Sequence, residues 1–138
     1  MTGTAHSRKR KSAKRGTAAL EYGMLAPVLF LFIIGIMDMG RLMWVYAGLS
    51  RAVEAGARCG AVDTTNCATT AQIQSTAAAA VWGMTVSPSA FGVSSTEGIR
   101  VTASYSFKFF TPGFTSITLS PSACYVSFQT TSGSDDCR

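Results

Sequence analysis

The sequence is short of the residues on which most site chemistry depends. It has one histidine, His6, and seven acidic residues, none of them before Glu21. Its four cysteines form no C-x-x-C pair. With the only imidazole near the N-terminus and no paired thiols, neither a metal centre nor another bound cofactor is expected. There is no internal repeat and no low-complexity tract, so solenoid and array architectures are set aside. No convincing A-x-A cleavage site follows the apolar segment, which argues against a released secretory domain.

What the chain does have is strongly segregated. Six of its twelve basic residues fall in Arg8, Lys9, Arg10, Lys11, Lys14 and Arg15. The chain after Gly16 carries six basic and seven acidic side chains and is close to neutral. The net charge of +5 therefore belongs to a leader and not to a basic globular surface. A basic cluster beside an apolar helix reads as a topology signal that keeps its own side cytoplasmic. With no aromatic interleaving and no folded basic face, no nucleic-acid partner is expected.

The leader, residues 1–16, reads as disordered: polar, basic and without apolar period. From Thr17 to about Cys59 the pattern predicts one long helix. Its first part, to Met37, is apolar apart from Thr17 and Glu21 and is long enough to cross a bilayer. Pro27 lies inside it, where a membrane helix takes a kink rather than a break. A carboxylate just inside such a segment is costly, which singles out Glu21 as functional. Beyond Met37, Leu42, Val45, Tyr46, Leu49, Val53 and Ala57 recur at helical spacing. The helix then leaves the bilayer with one apolar face, and Trp44 and Tyr46 fall near the outer interface. Asp38 with Arg41, and Glu54 with Arg58, stand three and four residues apart and read as ion pairs on the helix surface. Asp38 and Glu54 lie about 24 Å apart by helix rise, too far to share a catalytic site in one chain.

Residues 61–138 read as a small α+β domain. Thr69 to Met84 predicts a second helix with an apolar face of Ile73, Ala77, Ala80, Val81 and Met84. A short strand is expected around Phe91 to Val93. Ile99 to Phe109 alternates as one half-buried strand. Its aromatic face of Tyr105, Phe107 and Phe109, with Phe110 and Phe114 nearby, is expected to pack on the long helix; an adhesive or carbohydrate-binding surface is the rival reading. Ile117 to Leu119 and Cys124 to Phe128 read as further strand, interrupted by Pro121. The tail, Thr130 to Arg138, is polar, with Cys137 as its tie. Cys59, Cys67, Cys124 and Cys137 all follow the apolar stretch and would face an oxidising compartment. Four cysteines allow three pairings; the short separations favour Cys59 with Cys67 and Cys124 with Cys137.

The junction Gly16-Thr17-Ala18-Ala19-Leu20-Glu21-Tyr22 resembles the G-x-x-x-x-E-Y leader junction of Flp-branch type IV pilins. Combined with Ile36-Met37-Asp38-Met39-Gly40-Arg41 and Arg51-Ala52-Val53-Glu54-Ala55-Gly56-Ala57-Arg58, it is similar to the TadE-like family over residues 14–60. Arg51 is displaced from the usual place beside the glutamate. The resemblance implies a non-enzymatic minor pilin or pseudopilin of the tight adherence (Tad/Flp) pilus. It implies cleavage between Gly16 and Thr17 by a prepilin peptidase, which leaves Glu21 and Tyr22 fifth and sixth in the mature chain. It implies that Glu21 pairs with the N-terminal amine of a neighbouring subunit. Its partners would be other pseudopilins, the major Flp pilin and the assembly platform. It would sit in the bacterial inner membrane, N-in and C-out, with a disulfide-stabilised periplasmic domain, and serve adhesion and biofilm formation. The alternative is a single-pass periplasmic binding or scaffold protein that never enters a filament.

Overall fold

A computed structural model describes residues 6–95, 98–126 and 137; for residues 6–15, 17 and 18 it describes the backbone alone. The fold is α+β. Helix α1 runs from His6 to Val62, and α2 from Thr70 to Ala80. A single 3-10 turn, Pro88–Ala90, leads into five short strands. These are β1 (Phe91–Ser94), β2 (Ile99–Ala103), β3 (Tyr105–Lys108), β4 (Ser116–Leu119) and β5 (Ser122–Tyr125).

Helix α1 starts earlier than its composition suggests. The leader, expected to be disordered, is helical from His6 and continues without a break through Gly16; residues 1–5 lie outside the description. Lys, Arg and Ala are good helix formers, so charge alone does not prevent the helix from extending backwards. At 57 residues it is about 85 Å long. From Leu20 to Met37 its large side chains are exposed along almost the whole circumference. One stretch of this helix is long and apolar enough to cross a membrane.

The core forms only around the last third of α1. Leu49, Ala52, Val53 and Ala57 are buried there against Ile73, Ala77, Phe91, Val101 and Ala103. Helix α2 lies against α1, and the approach depends on small residues. A Cβ built on Gly56 would sit 3.0 Å from the Ala77 Cβ and 3.5 Å from the Ile73 carbonyl oxygen. A Cβ on Gly60 would meet the Ile73 and Ile99 methyl groups at 2.7 and 2.8 Å. Helix α2 is fixed at its start by a capping box between Thr69 and Gln72. It ends at Ala80, short of the expected Met84, because the backbone is extended at Val81 and turns through Gly83 at φ 77°. The Gln74 side-chain amide donates to the Phe91 carbonyl at 2.7 Å and ties α2 to β1.

The expected single strand over Ile99–Phe109 is divided into β2 and β3, which belong to different sheets. One sheet has the order β1-β2-β5 and the other is the pair β3-β4, all antiparallel. The register nevertheless runs on through both: Lys108 faces Ser116, Tyr105 faces Leu119, Thr102 faces Ser122 and Ile99 faces Tyr125. The two sheets are thus one long hairpin interrupted at its middle. The Ala103 amide donates to the Pro121 carbonyl at 2.9 Å, but Pro121 has no N–H to return. The missing donor breaks the ladder, while the Ser104 amide turns to the Ala90 carbonyl. Side-chain alternation survives the break: Val101, Ala103 and Phe107 are buried, and Tyr105 and Phe109 half-buried.

Disulfides join Cys59 to Cys67 and Cys124 to Cys137, with Cα atoms 5.7 and 5.5 Å apart. The first fastens the end of α1 to the loop before α2. The second ties β5 to residue 137. The expected continuation of the last strand to Phe128, and the tail apart from Cys137, lie outside the described residues.

Candidate functional site

Two places on α1 carry unusual chemistry. The first is the stretch around Gly16 and Glu21. Gly16 is exposed, and no atom lies within 4 Å of a Cβ built on it. Thr17 continues the helix. Glu21 is exposed and makes no hydrogen bond or ion pair with any described residue, and Tyr22 beside it is exposed as well. Among the described residues, then, this carboxylate has no side-chain partner at the entrance to an apolar helix.

The second place is Asp38, and here the surface-pair reading is corrected. Asp38 is the buried polar side chain among the described residues, 3% exposed. Its Oδ2 accepts three hydrogen bonds from one turn of the loop between β3 and β4. They come from the Phe110 amide at 2.8 Å, the Thr111 amide at 2.7 Å and the Thr111 hydroxyl at 2.7 Å. Its Oδ1 accepts from the Arg41 guanidinium at 3.1 Å. All four neighbours are donors, which matches the acceptor-only ionised carboxylate. With both oxygens engaged by donors, the group acts as a fastener. It clamps a loop 72 and 73 residues away onto the helix just past Met37.

Arg41 completes this junction. Its guanidinium lies 4.4 Å from the Phe110 ring centroid and 5.2 Å from that of Phe107. Phe107 meets Phe109 edge to face at 5.2 Å, and Phe109 lies 5.7 Å from Phe114. The aromatic face is therefore divided. Phe107 is core, as expected, while Phe110 and Phe114 point outward, 75% and 67% exposed.

The second expected pair does not form. Glu54 and Arg58 are exposed and make no ion pair among the described residues, and Arg51 on the same stretch makes none. All three are exposed to solvent, where an ion pair gains little and costs side-chain freedom. Glu54 and Asp38 thus play different parts, one solvated and one buried. Among the described residues no group of three or more His, Cys, Asp or Glu converges as a metal site would require.

The turn at Phe110-Thr111-Pro112-Gly113 is readable from its residues, but its contact with Asp38 is not, because nothing local links it to a helix far away in the chain.

Among the described residues, helix, clamp and disulfide-bonded domain make up one membrane-length helix and a small α+β head. Residues 16–58 match the family model described as TadE-like protein, and over that stretch the chain is similar to that family. The family name implies a Tad pilus context. No curated protein and no solved structure matches the chain.

Proposed function

We propose that this chain is a minor pilin or pseudopilin of the Tad/Flp pilus, processed by a prepilin peptidase between Gly16 and Thr17. Residues 1–16 are a cytoplasmic leader, 17–60 a membrane anchor with its extension, and 61–138 a periplasmic domain. The basic residues hold the leader on the cytoplasmic side of the inner membrane, in an N-in, C-out orientation. Cleavage beside the apolar segment leaves the anchor in place. Its partners are the peptidase, other pseudopilins, the major Flp pilin and the assembly platform, and its contribution to adhesion and biofilm formation is indirect.

The observation that carries this reading is Glu21. It stands five residues after Gly16, within the TadE-like stretch, exposed and without a side-chain partner among the described residues. A carboxylate at that depth in a bilayer calls for an opposite charge. The new N-terminal amine of a neighbouring subunit supplies one. This gives Glu21 a role between chains that a single chain leaves open.

N-terminal sequencing of the membrane-bound form should give Thr17 as the first residue. An intact Met-initiated chain would overturn the pilin reading and leave the single-pass scaffold. Glu21→Ala should be inserted and cleaved normally yet impair pilus assembly. Normal piliation in that variant would remove the proposed role of Glu21.

A further inference from the structure

We propose that the tip of the β3–β4 hairpin, residues 109–115, is a second membrane contact that inserts into the same bilayer leaflet from which α1 emerges. The inference rests on the reading of α1 as a membrane span, and not on the pilus role.

The level of the tip follows from the Asp38 clamp. The apolar run of α1 ends at Met37, and the next residue binds the backbone of Phe110 and Thr111 directly. The tip therefore hangs within about one helical turn of the end of the apolar segment. Two of its side chains, Phe110 and Phe114, are the most exposed rings of the aromatic face, although Phe107 from the same hairpin is buried. Exposed aromatic rings far from any membrane would be a solubility cost. At the boundary of the hydrocarbon they are stabilising, because that zone favours aromatic rings.

The surrounding charges suit the same place. Lys108 is exposed on the strand that leads into the tip, and the Arg41 side chain is 47% exposed beside Phe110. At that level both cations would meet lipid phosphates, and Arg41 lies 4.4 Å from the exposed Phe110 ring. Trp44 on α1 is also exposed, about 9 Å further from the membrane centre by helix rise. The lipid surface is continuous with the exposed apolar face of α1, so the same leaflet that solvates Ile36 and Met37 reaches the tip. A protein partner would have to displace lipid from that corner first. With two contacts, the helix and the tip, the head is held at a fixed tilt instead of swinging about α1.

The test uses the full chain in vesicles of phosphatidylethanolamine and phosphatidylglycerol, with Trp44→Phe and Trp82→Phe removing native tryptophan. Single reporters are then introduced as Phe110→Trp, Phe114→Trp, Phe30→Trp within the span, and Thr64→Trp at the far end of the head. Lipids brominated high on the acyl chain should quench the Phe110→Trp and Phe114→Trp reporters several-fold more than the Thr64→Trp reporter. Adding Asp38→Ala should reduce that quenching toward the Thr64→Trp level while the Phe30→Trp reporter is unchanged. Tip reporters no more quenched than Thr64→Trp, with Phe30→Trp quenched, would overturn the tip proposal and leave the span intact. Tip reporters shielded from aqueous acrylamide but not reached by brominated lipid would also overturn it, in favour of a second chain or a partner subunit. An unquenched Phe30→Trp reporter would overturn the span reading and the tip contact with it.

Discussion

A carboxylate acquires different roles from its neighbours, and three acidic side chains of this protein illustrate it. Asp38 is enclosed by donors, Asp63 caps a turn, and Glu54 stands in solvent. Removing Asp38 leaves two backbone amides and a hydroxyl without their acceptor and Arg41 without its anion, and unmet donors in a buried place are costly. Asp38→Ala should lower the thermal midpoint of the head by roughly 5–10 °C. Glu54→Ala or Arg58→Ala should shift it by no more than about 2 °C, as expected of exposed positions. Near-UV circular dichroism melts of the full chain in detergent compare the three. Asp63 gives a pH dependence. Its carboxyl is held below the usual carboxylate range by the Asn66 side-chain amide first, then by the Asn66 and Thr65 backbone amides, against a small opposing effect of burial. A depressed folded value means that the stabilisation is present above the unfolded pKa of about 3.9 and is lost as pH falls through the folded value. The amides of Thr65 and Asn66 should therefore stay protected from hydrogen exchange to about pH 4 and open only below it. Asp63→Asn should remove that acid dependence. Protection in the parent chain that fades already near neutral pH would contradict the assignment.

At the level of elements, the contact between α1 and α2 depends on having no side chain at Gly56. A Cβ there meets the Ala77 Cβ, which cannot rotate away, so larger residues must push the helices apart. Gly56→Val should destabilise the head by about 1–3 kcal/mol, measured by denaturant midpoint. At Gly60 a Cβ would meet the Ile73 and Ile99 methyl groups, which can move by side-chain rotation as the Ala77 Cβ cannot, so Gly60→Ala should cost less than Gly56→Val. These close approaches also show what the sequence could and could not tell. The apolar length of α1, the amphipathic stripe from Leu42 to Ala57 apart from the exposed Tyr46, and the alternation from Val101 to Phe107 are local patterns, and the structure keeps them. The helical leader is different, because charge pattern and helix propensity pointed opposite ways there. The division of β2 from β3 was invisible at Ser104, since its cause is the missing N–H of Pro121 on the opposite strand. The role of Asp38 was hidden for the same kind of reason: spacing found Arg41 three residues away, but not Thr111 at 73. Local periodicity reports faces, and it is silent about which distant backbone amide will arrive.

For the whole molecule, the arrangement amounts to an extended chain strapped along a rod. Ile99 lies by Gly60, and twelve residues later Thr111 is bound at Asp38, so β2 and β3 run down α1 toward the apolar end. That span of helix is about 33 Å by rise, and an extended chain of this length reaches about 40 Å. The strap is fastened at both ends. The lower fastening is the Asp38 clamp. The upper is the region where the Cys59–Cys67 disulfide holds the end of α1 to the start of α2, closing a loop with a separation of 8 residues. A loop of that size contributes about 2–3 kcal/mol through restriction of the unfolded chain. Replacing both cysteines by Ser should therefore lower the stability of the head by that amount, while leaving the tip reporters of the membrane experiment unchanged. The two fastenings share no partner and are separated by some 32 Å of helix. Distant, independent sites add, so the loss in a chain carrying Asp38→Ala and both cysteine substitutions should equal the separate losses to within about 0.5 kcal/mol. Guanidinium unfolding of the four variants measures the cycle. A larger coupling would mean that the strap behaves as one rigid piece, with a change at Cys59 felt at the membrane end.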